Sequence, residues 1–310
     1  MTGIEREVNA MPKQVLLTGG TGLVGIDLLR ELARKGYRVL LMSRRRPPTG
    51  LAHVQWLEAD LAADQQQTLD SLGRFDFVVH AATVRFAKTE EQLAAMQRVN
   101  VGFTKALFEW AGERKVEAVV YISGLNFLRR PLESIVDESH PVAPSTPYAE
   151  TKLFGETALA KHLKHNHFRG VSLRLSSPMP VEYGQLHETV VKKWIDRAQR
   201  GEPIEIHGRG ERTQDFVATS DIAAAVVGAI ESSTASGIYN VAAGNSLSML
   251  ELARLIARQS NAKLNFHGED CNEAESWNIS IEKTRRELGY NPLFTSRTAI
   301  ERLLSTLDGG

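Results

Sequence analysis

A chain of 310 residues is long enough to bury one large α/β core or two smaller ones. Its 37 Lys plus Arg balance 37 Asp plus Glu, so no overall field holds it to nucleic acid or an anionic membrane, although a local basic patch could bind phosphate. The single cysteine, Cys271, excludes an intrachain disulfide framework and a cysteine-based metal site.

The first dozen residues, MTGIEREVNAMP, lack the apolar core of a signal peptide. No apolar run is long enough to span a bilayer, so a cytoplasmic location is the expectation. From Val15 onward, short apolar runs alternate with helical patterns: QVLLTGG, GIDLLRELARKG, YRVLLMS, then FDFVVHAAT and VEAVVYISG. That alternation predicts a doubly wound α/β fold with a parallel sheet covered on both faces. VSLRLSS adds a later strand. From about Pro178 the rhythm loosens, and the chain is expected to build a smaller α/β cap before DFVATSDIAAAVVGAI and GIYNVAAG return to the sheet. The expected division is 1–177 with 215–242 for the dinucleotide domain, and 178–214 with 243–310 for the substrate-binding part.

Thr18 to Gly25 reads TGGTGLVG, with Gly19, Gly22 and Gly25 evenly spaced into an amphipathic helix. Glycines permit a tight turn there and let backbone N–H groups approach a pyrophosphate at the helix N-terminus. Thr21, Leu23 and Val24 complete this candidate cofactor loop. A plain strand-to-helix turn is the alternative. At the end of the second strand, where an acid would select an unmodified adenosine ribose, the chain has Ser43 followed by Arg44, Arg45 and Arg46. Hydroxyl plus guanidinium suits a 2′-phosphate, which favours NADP(H) over NAD(H). A solvated basic loop would look the same.

PYAETK places Tyr148 and Lys152 at i and i+4, on one face of a helix started by Ser145 or Thr146 and Pro147. Alone, such a pair also occurs on ordinary exposed helices.

Taken in order, these motifs resemble the extended short-chain dehydrogenases, the nucleotide-sugar epimerase, dehydratase and reductase family, from about Lys13 to the C-terminal region. The further motifs are Asp60-Leu61, His80-Ala81-Ala82, Asn100 in RVNVGFTKAL, GEPIEIHGRGERTQDFVATSDIA and RRELGYNP. The resemblance implies a Rossmann domain, a homodimer, and defined roles. Asp60 would bond the adenine amino group, while Leu61, Ala81, Ala82 and Thr83 would line the cofactor. Asn100 would be a structural tie. Tyr148 would exchange a proton with the substrate while hydride moves, with Lys152 favouring its phenolate and reaching the nicotinamide ribose.

Three departures shape the functional expectation. Gly124 stands where the family usually has a Ser or Thr beside the reacting oxygen; Ser123, Asn126 or Thr83 are the candidates to compensate. Leu125 and Asn126 occupy the positions of the dehydratase acids, which disfavours dehydration. Ser177 replaces a substrate-touching asparagine and Gln214 an arginine, leaving Arg209 and Arg212 as candidate diphosphate contacts. No histidine has trustworthy metal-ligand spacing. A reductase of a keto group on a nucleotide-activated sugar is expected. An epimerase with retained NAD, a reductase of a small ketone, and a cofactor-binding sensor are the alternatives.

Overall fold

The computed structural model describes residues 12–63, 65–130, 135–165, 168–183, 186–269 and 276–308. Cys271 and residues 1–11, which bear on the thiol and signal-peptide readings, lie outside the described residues.

The first half alternates strands and helices: β1 (Gln14–Thr18), α1 (Gly25–Arg34), β2 (Arg38–Ser43), β3 (Val54–Glu58), α2 (Gln65–Asp70), β4 (Phe77–His80), α3 (Glu90–Gln97), a π-helical turn (Arg98–Phe103), α4 (Thr104–Glu113) and β5 (Ala118–Gly124). Then come α5 (Pro147–Lys164), β6 (Arg169–Leu175), β7 (Ser177–Met179), α6 (Val190–Gln199), β8 (Ile204–His207), β9 (Thr213–Gln214), β10 (Phe216–Ala218), α7 (Thr219–Glu231) and β11 (Gly237–Val241). The remainder is β12 (Leu247–Ser248), α8 (Met249–Ser260), β13 (Leu264–His267), α9 (Glu282–Leu288) and α10 (Ser296–Asp308).

Seven strands form one parallel sheet in the order β11-β6-β5-β4-β1-β2-β3. Alternate residues of each strand serve opposite cores. Val15, Leu17, Val39 and Val79 pack under α1 and α7, whereas Leu16, Met42, Val78 and Val119 pack under α4 and α5. Burial on both faces explains why the strands read as unbroken apolar runs. The strand order reverses at β1, whose neighbours are β2 and β4, and this opens a crevice at the carboxyl ends of β1 and β4.

A second core joins Met179 and Val181 to α6, β8, α8 and α10 through Trp194, Ile206, Leu252 and Leu303. Ser248 and Glu251 cap α8 reciprocally. Two stretches pack differently from the division read off the sequence. Trp277, Ile279, Ile281, Leu288 and Tyr290 join the sheet core, while Phe216 and Ala218 join the second core. We propose on that packing that 276–290 belongs with the sheet domain.

Asp215 fastens the crossings between the two parts. Fully buried, it accepts hydrogen bonds from Ser176 Oγ at 2.5 Å, Ala243 N at 2.9 Å and Gly244 N at 3.0 Å. Among the described residues, no helix is long and apolar enough to cross a membrane.

Candidate active site

The crevice continues into a cleft of about 1110 Å³ between the sheet and the second part. Its floor is the loop after β1, which folds through Gly22 N donating to Gly19 O at 3.0 Å. Gly19 has φ +76°, and a Cβ there would stand 2.4 Å from Ala82 N. A Cβ on Gly25 would lie 2.1 Å from Gly19 O. Bare backbone at both positions lets α1 and the end of β4 close on the loop, with Thr21, Gly22, Leu23 and Val24 lining the cleft beside them.

At the β2 corner, Ser43 Oγ donates to Arg45 O at 2.6 Å and accepts from Trp56 Nε1 at 3.2 Å. Arg45 Nη2 donates to Thr21 O at 3.1 Å, tying the basic corner to the glycine loop. Arg44 is exposed on the same wall, and the Arg46 guanidinium sits 5.8 Å from the Trp56 ring centre. Asp60 and Leu61 line the neighbouring edge, with Asp60 Oδ1 accepting from Ala62 N at 3.0 Å.

His80 ends β4 between two hydroxyls: Nδ1 lies 2.7 Å from Thr18 Oγ1 and Nε2 lies 2.8 Å from Thr104 Oγ1. Burial, and secondarily the Lys152 charge, lower its pKa to about 3, so the ring is neutral. Ala81, Ala82 and Thr83 then enter the cleft. Asn100, in the π-helical turn, accepts from Val84 N at 2.8 Å and donates to Val84 O at 2.9 Å and Thr151 Oγ1 at 3.0 Å. It thereby joins the segment after β4 to α5.

Thr146 caps α5 by accepting from Ala149 N, and Pro147 occupies the first turn. This start delivers Tyr148 and Lys152 to the cleft together. Lys152 is 3 % exposed, and its Nζ donates to Ile122 O at 2.8 Å. Burial lowers its pKa to about 7, against the opposing charge of Glu156. Burial raises the Tyr148 phenol, and the Arg85 charge and a hydrogen bond with Thr83 oppose that rise. Arg85 thus adds a positive charge on the phenol that the sequence reading did not name. Lys152 Nζ is drawn to the β5 carbonyl and stands 6.0 Å from the Tyr148 ring centre.

The end of β5 brings Ser123, Gly124, Leu125 and Asn126 to the same wall. Ser123 Oγ is buried and unpartnered among the described residues. On the far wall Ser177 and Gln214 line the cleft. Arg209 and Arg212 are not among the lining residues: Arg209 pairs with Glu211 at 3.2 Å, and Arg212 Nη1 reaches Gln214 Oε1 at 3.4 Å. Sequence reasoning missed Arg85, His187 and Trp277, which also line it. Arg85 lies two positions beyond Thr83, a spacing that places alternate residues of non-helical chain on one side. His187 and Trp277 carry no comparable local signal.

The glycine cradle, the basic corner and the buried Lys152 fit a nicotinamide dinucleotide. A phosphate can approach the bare loop, and the Lys152 ammonium keeps donor capacity beyond its bond to Ile122. Among the described residues, no group of three or more His, Cys, Asp or Glu could hold a metal ion.

The chain is 25 % identical over 299 residues to the dTDP-glucose 4,6-dehydratase of Streptomyces niveus, covering 90 % of this chain and 88 % of that protein. It is 23 % identical over 321 residues to the dTDP-4-dehydro-6-deoxyglucose reductase of Escherichia coli, covering 97 % and 99 %. The structure of MoeE5 in complex with UDP-glucuronic acid and NAD superimposes with a TM-score of 0.81 at 23 % identity, over 96 % of this chain and 99 % of that one, which shows the shared fold. The family model for NAD dependent epimerases and dehydratases matches residues 15–242, the stretch that holds the glycine loop, the β4 and β5 ends and the Tyr148–Lys152 helix. This chain therefore belongs to the NAD-dependent epimerase/dehydratase family.

Proposed function

We propose that the protein is an NADP(H)-preferring reductase of a keto group on a nucleotide-activated sugar. The observation that carries this reading is the β2 corner, where exposed Arg44 and the anchored Arg45 offer guanidinium groups to a 2′-phosphate, while the buried Ser43 hydroxyl, bonded to Arg45 O, shapes the turn that presents them. Leu125 and Asn126 supply no carboxyl group to expel water, which argues against dehydration. The similarity to a dTDP-sugar reductase over nearly the whole of both chains supports an activated sugar as substrate. A cytoplasmic homodimer completes the reading.

The glycine loop, Asp60, Leu61, Ala81 and Ala82 would hold the dinucleotide, whose nicotinamide supplies the hydride when bound. Tyr148 donates its phenolic proton to the oxygen of the reacting carbonyl. A phenol whose pKa burial has raised stays protonated at neutral pH, the form this direction requires. Lys152, anchored on Ile122 O, would bond the nicotinamide ribose with its remaining donors. Ser177, Gln214 and Thr83, which line the same cleft, would contact the substrate. Arg209 and Arg212, outside the lining, would reach a diphosphate only through a change at the β8–β9 turn.

Purified protein is expected to bind NADPH more tightly than NADH and to oxidise NADPH with a 4-keto sugar nucleotide. Arg45→Ala should weaken NADPH selectively. NAD that survives purification and is released on denaturation would overturn the reductase reading in favour of an epimerase.

A further inference from the structure

Gly124 ends β5 at the cleft, and its lack of a side chain has a specific occupant. Apart from its two chain neighbours, a Cβ built on Gly124 would meet one atom within 4 Å among the described residues, Asn126 Oδ1 at 3.0 Å. The chain between them turns by burying Leu125, 4 % exposed, and this swings the Asn126 side chain back over Gly124. Asn126 is exposed and lines the same cleft as Tyr148, Thr83 and Lys152. The carboxamide oxygen takes the place where a side chain at 124 would project, and a half-turn of the amide about its terminal torsion exchanges it for the two N–H donors.

An oxygen that gains negative charge during reduction needs donors aimed at it, and Tyr148 supplies only one. Lys152 Nζ is held on Ile122 O, and its remaining donors serve the ribose in the reading above. Ser123 also lines this wall, but its Oγ is buried, and strand alternation sends its side chain to the opposite face of β5 from that of residue 124. We propose that the Asn126 carboxamide donates the second hydrogen bond to the reacting oxygen, and that Gly124 is glycine because the carboxamide needs that space. This rests on the hydride-transfer reading above, and it names Asn126 as a catalytic residue in contact with substrate.

The test compares Asn126→Ala, Asn126→Asp, Gly124→Ser, Ser123→Ala and the double variant Gly124→Ser with Asn126→Ala. Turnover is measured with dTDP-4-keto-6-deoxyglucose and NADPH, and with UDP-glucose and NAD. Calorimetry gives the affinities for dTDP-4-keto-6-deoxyglucose and for dTDP alone. Asn126→Ala and Asn126→Asp should lower kcat on the order of 10²-fold, the usual cost of losing one such donor. Both should weaken the keto sugar nucleotide while leaving dTDP unchanged. Gly124→Ser alone should also lower kcat, because hydroxymethyl and carboxamide compete for one spot. The double variant should recover roughly tenfold over Asn126→Ala, since the serine hydroxyl then replaces the lost donor. A merely structural asparagine gives no such recovery.

Asn126→Ala within about threefold of the parent, or a loss confined to Ser123→Ala, overturns the proposal. A parent enzyme active only with UDP-glucose and NAD overturns the reductase reading and leaves the Asn126 comparison intact, because the same oxygen is held in either direction. A parent that turns over neither substrate overturns that reading too, and the calorimetric difference between keto sugar nucleotide and dTDP then decides the role of Asn126.

Discussion

Gln214 Nε2 donates to Ser177 Oγ across 2.9 Å, joining β9 to β7 in the wall of the cleft. The two residues that depart from the family pattern on this wall are thus partners, and the pair is electrically neutral. Gln214→Arg would put a fixed cation in the wall. Binding of dTDP or UDP should tighten by about fivefold, roughly 1 kcal/mol, and the gain should shrink as salt is raised. Calorimetry at low and high ionic strength measures it.

Gly19→Ala should lose dinucleotide binding and stability together. The positive φ costs an L-residue about 1–2 kcal/mol, and the new methyl would press on Ala82 N. Gly22→Ala, whose methyl would meet only Gly19 O at 3.3 Å, should be milder. Thermal unfolding and cofactor titration of the two variants give the ranking.

Arg85→Met removes the charge that most opposes the rise of the Tyr148 pKa, so that pKa should climb further. In reduction the phenol acts as the acid, and activity should persist to higher pH. In oxidation the phenolate acts as the base, and the onset of activity should move to higher pH. Profiles of kcat/KM in both directions show whether the limbs shift together.

Lys152, held near pKa 7 by burial, is partly deprotonated in slightly alkaline buffer before cofactor arrives. Anionic or hydroxyl groups of the dinucleotide near its ammonium should raise that pKa, so binding should draw in a fraction of a proton. Calorimetric enthalpies in phosphate and Tris should differ accordingly at pH 7.5 to 8. Lys152→Met should abolish the difference.

The parts of this molecule that a linear reading captures are those set by neighbours in sequence. The β1–loop–α1 unit is legible because glycines and apolar periodicity occur within one short stretch. The Thr146-capped start of α5, which delivers Tyr148 and Lys152, is legible for the same reason. Groups assembled across the chain escape it. Arg85 shares the cleft with Tyr148 from 63 positions away, and Trp277 reaches it from a segment assigned to the other part. Lys152 shows the limit most sharply. Its position is written in the sequence, but the β5 carbonyl that claims its Nζ is 30 residues earlier.

Asp215 gathers bonds from Ser176, Ala243 and Gly244, residues where the chain passes between the two parts. In mechanical terms it is a pin through several straps. Rotation about that point leaves all three bonds intact, whereas sliding one part along the other would break them and strand a buried carboxylate. Any rearrangement that drew Ser176, Ala243 and Gly244 apart would therefore have to break bonds to a fully buried side chain, so the crossings are held together at one point.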